Sequence, residues 1–100
     1  MLRQSAEGFR DAKRRVLQAL AEGAYQHEVR RDIDVKNKLA TGEVTPAQVA
    51  GIIGRSRGRD HRMSPHHRVA SVTVHVIRRE GWYIKFYFLE PATWFISVHD

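Results

Sequence analysis

Apolar residues alternate with other residues through most of residues 69–100, and this pattern predicts a β-sheet. The alternation runs through three stretches, VASVTVHVIRR, GWYIKFYFLEP and ATWFISVHD. Turn-forming pairs separate them, Glu80-Gly81 at the first break and Glu90-Pro91 at the second. Alternating runs joined by such pairs are typical of hairpins. We therefore predict three consecutive antiparallel strands, a β-meander.

The two-residue period of a strand sorts these side chains onto two faces of the predicted sheet. One face is wholly apolar and must be covered; it takes Val72, Val74, Val76, Trp82, Ile84, Phe86, Phe88, Trp94, Ile96 and Val98. The other face takes Thr73, His75, Tyr83, Lys85, Tyr87, Ser97 and His99. A merely solvated face is normally richer in Glu, Lys, Arg and Thr. Two His, two Tyr and one Lys are instead the side chains of acid–base chemistry.

Helical spacing precedes the predicted sheet. Residues 9–21 repeat apolar side chains at helical intervals and are followed by a glycine, which favours a first helix. A weaker pattern predicts a second helix over residues 27–41, although a short strand within residues 24–30 is an alternative there. The third helix is the best marked, because TPAQ at residues 45–48 has the elements of a capping box, and it runs to Gly54.

Three helices followed by three strands predict an α+β fold of two layers, with the helices packed on one face of an antiparallel sheet. At 100 residues the chain is expected to form a single domain. We expect residues 1–8 to be flexible, 9–53 to form the helical layer, 54–68 to form a basic loop and 69–100 to form the sheet.

Composition adds a preference for polyanions. The net charge is +6 with His neutral, and a small basic domain most often meets nucleic acid. There is no cysteine, which excludes disulfides, thiolate nucleophiles and cysteine-type zinc sites. The N-terminus has no apolar signal region and no run approaches membrane-spanning length, so we expect a cytoplasmic protein.

The predicted basic loop concentrates this charge. Its sequence, GRSRGRDHRMSPHHR, has five Arg and three His against one acid, and nothing in it predicts a core element. We expect RNA contacts beside the sheet face from Arg57, Arg59, Arg62, His66, His67, Arg68 and Tyr87. Arginines also bind acidic protein segments, so the loop alone does not separate RNA from a protein partner. An arginine-rich loop that only keeps the protein soluble is the other alternative.

The polar sheet face suits RNA cleavage without a metal. A base removes the 2′-hydroxyl proton, a cation stabilises the attacked phosphate, and an acid protonates the leaving 5′-oxygen. We expect His75 and His99 to form the acid–base pair, Tyr83 to assist, and Lys85 to stabilise the transition state. The alternative is a solvated face with aromatic cross-strand pairs.

Three histidines in the loop region raise the question of a metal. The spacing of His61, His66 and His67 fits no standard zinc pattern, and carboxylates nearby are few. We expect surface histidines, no metal and no cofactor.

Three passages resemble the MqsR-like and RelE-like ribonuclease toxins of bacterial toxin–antitoxin pairs. They are VLQALAEGAY, EVTPAQVAGIIGRSRGRDHRMS, and WYIKFYF followed by FISVHD. The resemblance implies a compact fold of helices and strands, an mRNA endoribonuclease that acts with or without the ribosome, and an antitoxin that neutralises it. By position it assigns Tyr83 to the family's strand tyrosine, Lys85 to the lysine that follows it and His99 to its C-terminal basic residue.

This chain also departs from the family. The Trp-Gln-Asp stretch of the family has no counterpart, and His99 replaces a lysine. Histidine titrates near neutral pH and lysine does not, which favours an acid–base role for His99. We predict an endoribonuclease toxin; the alternative is a basic module that binds nucleic acid or protein without catalysis, such as a small regulator or a phage-type inhibitor.

Overall fold

The computed structural model describes residues 4–29 and 36–100, with side chains from residue 8 onward. The helices are α1 (Gln4–Glu22) and α2 (Pro46–Arg55), and a 3-10 turn spans Gly58–Asp60. The strands are β1 (Tyr25–His27), β2 (His61–Pro65), β3 (Thr73–Arg79), β4 (Trp82–Leu89) and β5 (Ala92–His99).

The described strands form one sheet of five, in the order β1-β5-β4-β3-β2. Strands β3, β4 and β5 are the predicted meander, and the strand considered near residue 25 is β1. Strand β1 pairs with β5 in parallel, so the sheet is mixed rather than wholly antiparallel. The α+β prediction is confirmed at this level.

Both helices form where the sequence carries helix signals. Helix α1 buries Ala12, Val16 and Leu20, which are spaced four residues apart and so lie on one side of the helix. Helix α2 begins with a capping box, in which the Thr45 hydroxyl accepts from the Gln48 backbone N–H at 3.1 Å. Because the cap satisfies backbone donors at the helix start, α2 begins where the sequence predicts.

The predicted second helix over residues 27–41 is wrong where the chain is described. Residue 27 ends β1, Asn37 forms an isolated bridge with Val98, and turns follow it. Val29, one of the apolar residues behind the prediction, is 84% exposed, whereas Leu39 is buried from a turn. Residues 30–35 lie outside the described residues. Apolar spacing over so short a segment does not distinguish a helix from turns that bury one side chain each.

The expectation that residues 54–68 form a basic loop is also wrong, because most of the stretch has regular secondary structure. The stretch continues from α2 through the 3-10 turn into β2, which pairs with β3 in antiparallel register. His61 and Met63 face the helices, while Arg62 and Ser64 pair with Val76 and Val74 on the other side. Backbone pairing with β3 stabilises this strand, and such pairing needs no apolar side chain, so composition gives no sign of it.

The main core lies between the two helices and one face of the sheet. From the sheet it takes Ile77, Ile84, Phe86, Phe95 and Val98, and from the helices Val16, Leu20, Val49, Ile52 and Ile53. We call this side of the sheet the helical face and the opposite side the second face. Among the described residues, no helix has both the length and the apolar character to cross a membrane.

The turn between β3 and β4 decides which residues share a face. Arg79 pairs with Trp82, so the turn has two residues, and both Glu80 (φ 56°) and Gly81 (φ 82°) have positive φ. Such a turn has the twist that suits a tight hairpin. Cross-strand partners point to the same side of a sheet, so even-numbered residues of β3 share a face with odd-numbered residues of β4.

This pairing corrects the predicted faces for β3. Val74 and Val76 lie on the second face beside Tyr87 and Lys85, their cross-strand partners. His75 pairs with Phe86 and lies on the helical face, as does Thr73, two residues earlier on the same strand. The alternation of β3 was identified correctly, but its phase relative to β4 was reversed.

A β-bulge corrects the faces of β5. Lys85 pairs with Ser97 and Phe86 pairs with Phe95, which leaves Ile96 as an extra residue. Trp94 and Ile96 therefore do not join the main core as predicted. They form a second, smaller cluster on the second face with Val72, Val74 and Tyr87. Beyond the bulge the predicted sides hold, with Val98 in the main core and Ser97 and His99 on the second face.

Candidate nucleic-acid interface

Two rows of polar side chains cross the second face near the β3–β4 turn. The register places Arg62, Val76, Lys85 and Ser97 side by side in one row, and Arg78, Tyr83 and His99 in the next. Neighbouring strands lie about 4.8 Å apart and successive rows about 7 Å apart. The polar side chains of both rows therefore form one surface. We call it the cationic patch, defined by Arg62, Arg78, Tyr83, Lys85 and His99.

The second row is the best defined part of the cationic patch. The rings of Tyr83 and His99 stack with centroids 5.1 Å apart and an interplanar angle of 24°. On the other side, the Arg78 guanidinium carbon lies 5.1 Å from the Tyr83 ring centroid. Tyr83 thus lies between a guanidinium and an imidazole. A guanidinium can neutralise a negative charge, and an imidazole can transfer a proton.

A surface cleft of about 450 Å³ opens beside this row. It is lined by Arg59, Asp60, Arg62, Val76, Arg78 and Tyr83. Its single carboxylate, Asp60, accepts from the backbone N–H of Arg57 at 2.8 Å and pairs with Arg79 at 3.4 Å. Because that carboxylate is already bound by groups outside the cleft, the three lining arginines give the cleft a positive potential suited to a phosphate.

A second hollow lies on the other side of Tyr83, at the β3–β4 turn. Its volume is about 490 Å³, and Trp82, Tyr83 and His99 are among its lining residues. Aromatic rings beside a cationic cleft are the combination that proteins use to hold an unpaired nucleotide, with the base on the rings and the phosphate on the cations.

His75 does not join the cationic patch, contrary to prediction. It lies under the helical layer with 7% of its surface exposed, and its Nδ1 is 2.9 Å from Nε2 of His61. Its ring stacks against Phe86 at 5.5 Å. Burial, followed by the nearby His61 and Arg15, lowers the pKa of His75 to about 4. The predicted acid–base pair of His75 and His99 is therefore divided between the two faces of the sheet.

Five other predicted RNA contacts lie outside the cationic patch and the cleft beside it. His66 and Tyr87 lie together at the far end of the second face, where both bond to Glu28. His67 is exposed and its ring lies 4.4 Å from that of His66. Arg68 is exposed in the β2–β3 turn, and Arg57 lies on the helical side of the 3-10 turn.

Glu28, His66 and His67 bring three metal-ligating atoms within 4.8 Å of one another. His66 is 8% exposed and His61 is 7% exposed, which corrects the expectation that they are surface histidines; in each case strand pairing or the adjoining turn places the ring inward. Nδ1 of His66 accepts the backbone N–H groups of Arg68 and Val69, at 3.1 and 3.3 Å. The hydrogen of the neutral ring therefore lies on Nε2, which donates to Glu28 at 2.9 Å. This geometry favours a hydrogen-bonded network over metal ligation through Nε2.

Sequence reasoning missed Arg78 and Glu28. The signal for Arg78 is the two-residue turn, because the Arg79–Trp82 pair requires Arg78 to lie opposite Tyr83. No local signal marks Glu28, since its partners His66 and Tyr87 are 38 and 59 residues away in the chain.

Comparison of the chain with protein-family models, curated proteins and solved structures gives no match. The resemblance to MqsR-like and RelE-like toxins therefore stays a prediction from the sequence.

Proposed function

We propose that the protein is a metal-independent endoribonuclease that acts from the cationic patch. The observation that supports this most directly is the row Arg78–Tyr83–His99, in which a guanidinium, a phenol and an imidazole lie on three adjacent strands beside a cationic cleft. Lys85 and His99 keep their predicted roles. Tyr83 takes the acid–base role predicted for His75, and Arg62 and Arg78 join Lys85 in stabilising the phosphate.

Each group in the cationic patch has one task. The neutral imidazole of His99 accepts the 2′-hydroxyl proton, and the 2′-oxygen attacks the adjacent phosphorus. Arg62, Arg78 and Lys85 stabilise the charge that builds up on the phosphoryl oxygens. Tyr83 donates its hydroxyl proton to the 5′-oxygen as the bond from that oxygen to phosphorus breaks. The products are a 2′,3′-cyclic phosphate and a free 5′-hydroxyl, and the proton on His99 later returns to Tyr83 through solvent.

We also propose the biological role that the resemblance implies. An RNase toxin that cuts mRNA needs a partner to restrain it, and a cognate antitoxin with an acidic surface would cover the cationic patch. The net charge of +6 supports both an RNA substrate and an acidic inhibitor.

A non-catalytic nucleic-acid- or protein-binding module is the second candidate, and the position of His75 favours it. With His75 under the helices, His99 is the one histidine in the cationic patch, so the two-histidine mechanism is not available. In this alternative Tyr83 and His99 only stack on bases, and the arginines only bind phosphates.

Cleavage of a labelled oligoribonucleotide in the presence of a metal chelator separates the two candidates. We expect the wild type to cut the RNA, alone or with ribosomes, but not to cut where the 2′-hydroxyl is replaced by hydrogen. The variants His99→Ala and Tyr83→Phe should each lower the rate by about a hundredfold or more, the usual loss for a general acid or base.

Arg14→Gln is the matched control, because Arg14 is an exposed residue of α1 whose ion pair is with Asp11 on the same helix. It should cut RNA at the wild-type rate. If the wild type binds RNA but cuts none under any of these conditions, the protein is the binding module.

A further inference from the structure

Another cavity, separate from the two beside Tyr83, lies on the helical side of the molecule, and we call it the basic hollow. It has a volume of about 400 Å³ and lies where α1, the end of α2 and the start of the 3-10 turn meet β3. Its lining consists of Lys13, Gly54, Arg55, Ser56, Arg57 and Arg79. Four of these six residues are cationic and none is acidic, so the hollow is a site for an anion rather than for a cation or an apolar group.

The carboxylates closest to the hollow are already bound. Arg55 holds Glu80 with two hydrogen bonds, at 2.7 and 2.9 Å. Asp60 accepts from the Arg57 backbone and from Arg79. Since these two acids compensate only part of the surrounding positive charge, an added anion meets a net positive field.

Arg79 and Arg57 are incompletely compensated cations of the hollow. Nε of Arg79 is buried without a hydrogen-bond acceptor and lies 3.7 Å from the nearest carboxylate oxygen of Glu80, while its Nη1 contact to Asp60 is long at 3.4 Å. The Arg57 side chain is exposed, and no ion pair joins it to another described residue.

The hollow continues the cationic patch around the edge of the sheet. Arg57 lines the hollow, and Arg59, two residues later, lines the cleft on the second face. Two residues span at most about 7 Å, so the two sites lie on either side of one short turn. A flexible anionic chain that occupies the cleft reaches the hollow within a few repeat units.

We propose, resting on the function proposed above, that the hollow binds a second phosphate of the same RNA strand. The strand then passes from the cationic patch, over the 3-10 turn, to Lys13 and Arg57 on the helical side. The substrate is accordingly a single-stranded RNA of several nucleotides, because an A-form duplex is too stiff to follow such a bend.

Binding of a labelled single-stranded RNA of twelve nucleotides, measured by fluorescence anisotropy, tests the inference. Arg57→Gln should weaken binding about tenfold, as expected for the loss of one charge-assisted contact. It should also reduce the slope of log affinity against log salt by about 0.7, the value for one phosphate of a single strand. Affinity for a dinucleoside monophosphate, whose single phosphate occupies the cleft, should be unchanged.

Two further variants keep the test sharp. Lys13→Gln should repeat the Arg57→Gln result, although it also removes the hydrogen bond from Lys13 to the Ser56 carbonyl, so its thermal unfolding is measured alongside. Arg14→Gln removes the same charge from the same helix outside the hollow and should bind like the wild type.

The outcomes separate the two proposals. If the wild type binds the long RNA and Arg57→Gln binds it equally well, the hollow is not part of the RNA path, while the proposed function stands. An equal loss in Arg14→Gln also overturns the hollow, because it shows a general charge effect. If the wild type binds no RNA at all, both proposals are wrong.

Discussion

At the scale of single residues, His75 shows how burial makes a side chain predicted to transfer protons into a neutral part of the interior. A histidine on a solvated strand face is available for proton transfer. Under the helical layer the same residue is held by His61 and by the Phe86 ring, and its pKa falls to about 4. It therefore stays neutral at neutral pH.

The lowered pKa predicts an acid-sensitive fold. In the unfolded chain His75 takes up a proton near pH 6.5, whereas in the folded protein it does so only near pH 4, so lowering the pH between these values favours unfolding. Its contribution to stability is complete above pH 6.5. Over this window one such group lowers the free energy of unfolding by about 1.4 kcal/mol per pH unit.

Urea unfolding at several pH values, with His75→Asn for comparison, checks this prediction. Asparagine keeps a polar atom near the position of Nδ1 but does not titrate, so the variant should show a flatter dependence on pH even if it is less stable throughout. Parallel curves for the two proteins would contradict the lowered pKa.

The sequence predicted correctly which face of the sheet several of the candidate residues occupy. Tyr83, Lys85 and His99 were placed on one face correctly, because they lie on two adjacent strands beyond the bulge. Arg78 was missed because its position beside Tyr83 depends on the register between β3 and β4. Side-chain type indicates what a residue can do, and the pairing of its strand decides where it does so.

At the scale of elements, the β3–β4 turn and helix α2 predict opposite effects of alanine at their glycines, Gly81 and Gly54. Gly81 has a φ of 82°, a region that costs an L-residue about 1 kcal/mol or more. Gly54 lies in α2 with no positive φ, and an added Cβ would meet no atom within 4 Å. Alanine there should stabilise the protein by about 0.5–1 kcal/mol.

Thermal and urea unfolding of Gly81→Ala and Gly54→Ala measure both effects. A loss of stability in the first and a gain in the second is the expected result. Equal effects of the two substitutions would mean that the backbone conformation of the turn is not what makes glycine necessary.

The elements themselves were predictable where a signal is repeated or specific. The capping box identified α2, the periodic apolar residues identified α1, and the turn pairs identified the meander. Strand β2 was not predictable from side chains, because β3 supplies its backbone partners. Alternation within β3 and β4 does not fix the phase between them, because that phase depends on the length of the turn that joins them. The bulge in β5 has no marker in the sequence.

At the scale of the whole molecule, positive charge lies on both sides of the sheet edge formed by β2. The cationic patch and the basic hollow share no residue, and the 3-10 turn separates them. Asp60 of the cleft contacts Arg57 and Arg79 of the hollow, but the side chains of Arg57 and Arg78 have no partner in common in the part of the chain that the structure describes. Substitutions of such residues usually add, to within about 0.5 kcal/mol.

A double substitution should therefore distinguish the two sites. The losses in affinity for the long RNA from Arg78→Gln and Arg57→Gln should add in free energy in the double variant, whereas only Arg78→Gln should slow cleavage of a short substrate. Anisotropy titrations and single-turnover cleavage rates give these values. A double variant no weaker than either single variant would show that both arginines serve one site.

The extra residue in β5 has a final consequence for the orientation of His99. If β5 kept Ile96 but paired with β4 without the bulge, His99 would lie opposite Trp82 and Val98 opposite Tyr83. The imidazole would then turn inward beneath the helices and the valine outward into water. The bulge thus decides the side on which this histidine lies, and a deletion of Ile96 is expected to keep His99 opposite Tyr83, because regular pairing of the shortened strand gives the same partners.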